Sequence, residues 1–398
     1  MSLLMPVKMP VINKTFYFFS AIHSFLLGLL PIFIPVILWD KGLNINDIAW
    51  FVALSAVGFL IALTIWDRLR ARRAWSAIIG LSFLLQMMLV GLLIWDTQWL
   101  ILSFGALING AAGCFYWSTQ RLFFQAITTS KNSGNTFGNF QILVVISLKL
   151  GILIGSFLLD SDYISGLILL SFSGSIFGFY LLQKLLNQVD NLGSIVQPRA
   201  FSFAQIVTFK DTHHSKSIFV VDGLFLFIES YFWVLTLYML TQQSLTTLGL
   251  LIVLLSIMLA IIFFALKKTI DSINAQRIFI ISIFGYALSW WLRAQLDLQS
   301  EAIMLYSSML LIAFLSSFFR LAFNKRFYDI ASADQPIYYI LCKSYYSQAI
   351  IAVFFGMIGL WGFSSDAPLE QLQSVYYCVI PLVLTYLLYG KSRRSKSS

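Results

Sequence analysis

The sequence predicts an all-α membrane protein: twelve transmembrane helices in two pseudo-symmetric six-helix bundles, with both termini in the cytoplasm. Three observations carry this. Of 398 residues, 59% are hydrophobic and only 11% charged, where soluble domains carry roughly 25% charged residues. The apolar segments are unbroken runs of about 20 residues, the length a helix needs to cross ~30 Å of hydrocarbon, and not the alternating strands of an outer-membrane barrel. The basic residues lie in the short connections between these runs, and almost all on alternate connections.

The runs give twelve spans, at approximately 16–38, 45–66, 75–95, 99–122, 137–159, 163–183, 218–240, 245–266, 278–296, 301–323, 337–361 and 372–389. Trp39, Trp66, Trp75, Trp95 and Trp99 fall at span ends, where amphipathic rings settle at the membrane–water boundary. With both termini inside, twenty Lys and Arg residues lie on the cytoplasmic side, against Lys41 and Arg293 outside. That asymmetry sets orientation. The external connections hold acids instead, such as Asp96, Asp160, Asp162, Asp366 and Glu370.

The longest connection, 184–217, is polar and mildly basic. It separates an N-terminal bundle over 1–183 from a C-terminal bundle over 218–398, which ends in a short basic tail. The fourth span closes on Gln120-Arg121-Leu122-Phe123-Phe124-Gln125, and the tenth on Lys325-Arg326-Phe327-Tyr328-Asp329. The two stretches match weakly, but at equivalent points of the two halves. Paired halves of this kind are how many secondary transporters are built.

Several function classes fall away. The net charge of +9 is spread through loops, so it sets topology and does not mark a nucleic-acid surface. Cys114, Cys342 and Cys378 fall inside apolar runs and are read as small side chains expected to be buried. Asp211, His213 and His214 lack further ligands for a metal. No Gly-x-x-x-x-Gly-Lys loop is present for ATP. No catalytic constellation points to an enzyme, and no cofactor is expected.

The segment after the second span reads Asp67-Arg68-Leu69-Arg70-Ala71-Arg72-Arg73, with Gly58 earlier on the same helix. It resembles the loop signature of the major facilitator superfamily, whose layout of six spans, a cytoplasmic loop and six more covers the whole chain. The resemblance implies a gating loop made by Asp67, Arg68, Arg72 and Arg73, with Asp67 in a contact that breaks during transport. The other basic residues there are read as topology. Some features depart from the family. The exporter pattern Arg-x-x-Gln-Gly falls on Ala106, Asn109 and Gly110, and Gly151-Ile152-Leu153-Ile154-Gly155 lacks the exporter proline. Glycines four apart also let any two helices approach closely.

Ionisable side chains inside spans are the candidate site. A charge at mid-membrane costs at least ~2.5 kcal/mol, so it persists where it meets a partner or a substrate path. Lys149 and Glu229 lie near the middle of the fifth and seventh spans. Asp222 is seven residues before Glu229 and shares its helix face. Glu229 is the first choice as proton carrier or ligand, with Asp222, Lys149 and His23 as further coupling or binding residues. Asn109, Tyr116, Trp117, Gln120, Arg121, Arg320 and Lys343 are expected to line a cavity. Arg121 and Arg320 are placed near the inner ends of their helices, where headgroup snorkelling is the favoured reading.

The sequence therefore predicts a multi-pass protein of a plasma membrane (the bacterial inner membrane), acting as a monomer. It is expected to move a small molecule by proton-coupled alternating access, and Lys149, Arg121 and Arg320 would suit an anionic one. Efflux of a drug, siderophore or metabolite is the leading direction. Uptake of a sugar, peptide or organic acid is the alternative, and a non-transporting receptor or assembly factor on the same fold is a third reading.

Overall fold

In a computed structural model, the chain is described over residues 11–94, 98–127, 133–186, 199–211, 213–272, 275–297, 301–333, 336–361 and 367–390. These residues are helical almost throughout, with no strand among them. Twelve helices are long and apolar enough to cross a membrane: α1 Lys14–Asp40, α2 Ile45–Ala71, α3 Trp75–Ile94, α4 Gln98–Phe124, α5 Ile142–Asp160 and α6 Ile164–Lys184. They continue with α7 Ser215–Leu240, α8 Leu245–Phe263, α9 Gln276–Gln295, α10 Ala302–Ala331, α11 Ile337–Leu360 and α12 Pro368–Leu388. The twelve expected spans are all present, with ends shifted by a few residues. Lys8, Trp95, Asp96, Lys131, Asp366 and the basic tail lie outside the described residues, as do the side chains of Lys267 and Lys268.

Several helices depart from regular α geometry, and some causes are readable. In α1, the α-helix stops at Leu29 and a 3₁₀ turn over Pro31–Phe33 follows. Pro31 and Pro35 both lack the N–H that would continue the ladder. In α12, Pro381 precedes a 3₁₀ end over Leu384–Leu388. In α7, residues Ile228–Trp233 form a π-helical segment between two α-helical stretches. Such wide turns often occur at functional sites, and this one contains Glu229. At the start of α7, the Asp211 carboxylate accepts backbone N–H bonds from Ser215 and Lys216 at 2.6 and 3.2 Å. Asp211 thus serves unpaired donors at a helix N-terminus.

The chain divides into two compact units. The first comprises Met1–Ile206 with Ile351–Leu360, and the second Val207–Ile350 with Trp361–Ser398. The first unit is held by close helix pairs. A Cβ at Gly151 or Gly155 of α5 would come within 2.2 Å of the carbonyl oxygen of Phe25 or 2.0 Å of that of Leu29, both on α1. On α4, a Cβ at Gly110 would fall 1.8 Å from the Ser55 carbonyl oxygen on α2. The glycines therefore bring backbones together, which in lipid replaces the missing hydrophobic drive between helices. This contact also accounts for Asn109, whose amide donates to Ser55 Oγ at 3.1 Å. In the second unit α9 packs on α10 and α12, through large aromatic side chains. Tyr286 stacks on Phe319 with centroids 4.2 Å apart, and Trp290 lies 5.7 Å from Tyr376.

Candidate functional site

Five charged side chains from four helices converge in the second unit: Asp222 and Glu229 on α7, Arg293 on α9, Arg320 on α10 and Lys343 on α11. Asp222 is fully buried. Its Oδ1 accepts from Arg320 Nη1 and from the Tyr386 hydroxyl at 3.1 Å, and its Oδ2 faces Lys343 Nζ at 2.7 Å. Arg320 is shared. Its Nη2 also donates to Glu229 Oε2 at 3.2 Å and to the Tyr286 hydroxyl at 3.1 Å. Glu229 Oε1 in turn accepts from Tyr286 at 3.0 Å and from Arg293 Nη2 at 3.2 Å. Arg293 continues the chain to Ser316 at 2.9 Å and Ser289 at 3.2 Å.

Aromatic faces complete the surroundings of the cations. Arg293 lies over Trp290 and Trp233, its guanidinium carbon 4.2 and 5.0 Å from the ring centroids. Lys343 Nζ sits 4.6 Å from the Phe327 centroid and 5.3 Å from that of Phe323. Ring quadrupoles attract a desolvated cation, so each positive group is compensated by both a carboxylate and an aromatic face. Exposure is graded across the network. Glu229 and Arg320 each keep 18% of the side chain accessible, against 1% for Asp222 and 2% for Arg293. Solvent therefore reaches Glu229 and Arg320 before it reaches Asp222 or Arg293.

Of the residues singled out from sequence, the structure gathers Asp222, Glu229, Arg320 and Lys343 into one network. Two readings are corrected here. Arg320 does not snorkel to headgroups, because its guanidinium is held between two carboxylates on α7. Arg293 is not an external topology charge either; it is buried and bonded to Glu229. Arg293, Tyr286 and Tyr386 were missed. The available signal was an arginine flanked by Trp290 and Trp291 inside an apolar run. Lys149 is half-buried on α5 in the other unit, with no ion-pair partner among the described residues.

The first unit has a neutral polar cluster. His23 Nε2 lies 3.0 Å from Ser82 Oγ and its ring stacks on Phe83 at 4.2 Å. The Tyr116 hydroxyl meets Ser24 Oγ at 3.1 Å and accepts from Gln120 Nε2 at 3.1 Å. Trp117 is 40% exposed, and Arg121 is half-buried. At the end of α2, Asp67 is buried and pairs with Arg70 at 2.7 Å. Its other oxygen accepts the backbone N–H of Phe201 at 2.7 Å, while Arg70 Nη2 donates to the Arg199 carbonyl at 2.9 Å. Arg70 is therefore a buried structural partner and not a topology charge. Arg68 and Arg72 are exposed. Arg73 adopts a left-handed conformation (φ 57°) that ends the helix, with Ala74 N–H bonded to the Leu69 carbonyl and Arg73 N–H to that of Arg70.

The fold is similar to that of solved transporters along nearly their full length. The chain superposes on a D-xylose-proton symporter with a TM-score of 0.64 at 13% identity, covering 96% of each chain. The chain has the major facilitator fold. The nucleoside transporter NupG gives a TM-score of 0.61 at 11% identity, over 94% of this chain and 98% of that one. A POT family transporter in complex with a thioalcohol conjugated peptide gives 0.59 at 15% identity, over 95% of each chain. No family model matches the sequence, and no curated protein matches it by sequence. With twelve membrane-length helices in the major facilitator fold, this is a multi-pass membrane protein.

Proposed function

We propose that this protein is a secondary transporter that moves a small polar molecule by alternating access, coupled to protons. The moving bodies are the halves 1–183 and 218–398, joined by the connection 184–217, with both termini cytoplasmic in a bacterial inner membrane. The observation that carries the reading is the connected charged network within the membrane-spanning part of α7, α9, α10 and α11. Ionised groups at that depth are costly to keep and typically mark ion or substrate pathways. The fold is one used by transporters of xylose, nucleosides and peptides, which supports the same class of work here.

Glu229 is the proton acceptor in this proposal. It is accessible, and it shares Arg320 with Asp222. Protonating Glu229 would remove one counter-charge from Arg293 and Arg320 together, leaving Arg320 to Asp222. A single proton thereby changes the pairing of three helices. Asp67 acts at the cytoplasmic end of α2, where its bonds to Arg70 and Phe201 tie the central connection to the signature loop. Arg68, Arg72 and Arg73 line the same loop. Efflux follows from the resemblance of that loop. Its second support, the glycines of α5, is weakened because Gly151 and Gly155 are accounted for by packing on α1. Uptake is the second reading, favoured by the likeness to a D-xylose-proton symporter.

The test is substrate-dependent proton movement in proteoliposomes, comparing wild type with Glu229→Gln under an imposed pH gradient of either sign. Coupled flux in wild type that becomes uncoupled in the variant supports the proposal, and the productive sign of the gradient gives the direction. Equal coupled flux in both proteins would remove Glu229 as the carrier.

A further inference from the structure

Among the described residues, the charged network is unbalanced. Arg293, Arg320 and Lys343 bring three positive charges, and Asp222 and Glu229 two negative ones. The surplus is not relieved by reaching toward headgroups. Lys343 is held at Asp222 and over two phenylalanine rings, and Arg293 is buried against two tryptophans. The donors are also under-used. The Nε groups of Arg293 and Arg320 are both buried with no hydrogen-bond acceptor among the described residues, although a buried guanidinium N–H ordinarily finds one. A net charge of one and two idle donors call for the same thing, an additional anionic acceptor.

We propose that the network is a binding site for a small organic monocarboxylate, received beside the accessible Arg320 and Glu229. Resting on the transport reading above, this names its substrate class. A carboxylate is planar and matches the fork of a guanidinium in two parallel bonds. A single negative charge brings the site to neutrality, and a neutral loaded site is less costly to hold within a membrane than a charged one. A neutral sugar or nucleoside would leave the surplus charge in place. A dicarboxylate would overshoot it.

The full-length protein in phosphatidylcholine nanodiscs, which excludes anionic lipid as the occupant, provides the test. Thermal stability is read with benzoate, nicotinate, lactate and gluconate, each against its neutral counterpart: benzamide, nicotinamide, lactamide and glucose. The expected result is a concentration-dependent rise in Tm with at least one carboxylate and not with its counterpart. Charge count then predicts the variants. Lys343→Gln makes the network neutral and should weaken carboxylate binding at least tenfold. The double variant Asp222→Asn with Lys343→Gln restores one surplus positive charge and should recover most of that loss.

Equal stabilisation by a neutral counterpart overturns the proposal. So does binding unchanged in Lys343→Gln, or no shift with any of the four carboxylates up to its solubility limit at constant ionic strength. A repeat in nanodiscs containing phosphatidylglycerol separates the sources. A shift seen without added carboxylate would assign the site to lipid and overturn the proposal. Proteoliposome flux keeps the two readings apart. Proton-coupled movement of a neutral compound would retain transport and sink the carboxylate class. Carboxylate binding without flux would do the reverse.

Discussion

In the first unit, His23, Ser24, Ser82, Tyr116 and Gln120 of α1, α3 and α4 meet as neutral donors and acceptors, while the pairs α1–α5 and α2–α4 beside them touch backbone to backbone at glycines. In the second, Asp222, Glu229, Arg293, Arg320 and Lys343 meet as ions between helices spaced by aromatic rings. Close backbone approach leaves no room for a guanidinium, whereas ring-spaced helices do, and ring faces also stabilise the cation. A neutral cluster is satisfied in one arrangement. An ion network with a shared arginine offers more than one pairing, because Arg320 faces both Asp222 and Glu229. Under the proposed function, the contrast suits the first unit to packing and the second to the exchange of partners.

The contrast can be broken by substitution. The largest effect is expected from Arg320→Met, which strips a partner from both Asp222 and Glu229. Removing one member of a buried ion pair costs about 3–5 kcal/mol, so thermal unfolding of the purified protein should show a loss of that size. Adding Glu229→Gln should recover part of it. If Arg320→Met instead unfolds like wild type, the network does not hold the second unit together.

Next is Gly110→Ala, whose methyl would meet the Ser55 carbonyl oxygen. Overpacking of this kind costs about 3 kcal/mol at the upper end of the usual range. Gly91→Ala, with no atom within 4 Å, is the matched control, expected to be unchanged or up to about 1 kcal/mol more stable through helix propensity. Similar melting of the two variants would argue against glycine-mediated contact.

Asp67→Asn should lower stability by about 2 kcal/mol, the worth of a hydrogen bond to a charged group. It should also free the segment at Arg199, read as faster trypsin cleavage there. An unchanged cleavage rate would separate Asp67 from the central connection. The smallest effect is expected from Ser82→Ala, which removes the His23 partner at a cost of about 1 kcal/mol. Flux should be unaffected, and a change in its pH dependence would move His23 from packing into the mechanism.

Much of this was legible in the residues. The spans were, because crossing a bilayer imposes length and apolarity on each segment separately. Asp222 and Glu229 were legible as a pair because helical periodicity places residues seven apart on one face. Their partners were not. Arg293 sits near the end of its run, where charge statistics assign an arginine to the aqueous side. The adjacent Trp290 and Trp291 are the local signal, and they do not fix that the side chain points inward between Trp233 and Trp290. Arg70 was hidden among neighbours of the same charge for the same reason.

The sequence by itself determined twelve spans, their division by a polar connection, and the presence of ionisable groups at depth. Each is a property of one segment and its transfer from water to lipid. The tertiary structure alone decided which charges meet, that three cations face two carboxylates, and that Arg320 is shared. Those depend on distances between helices far apart in the chain, which packing sets and no single segment encodes.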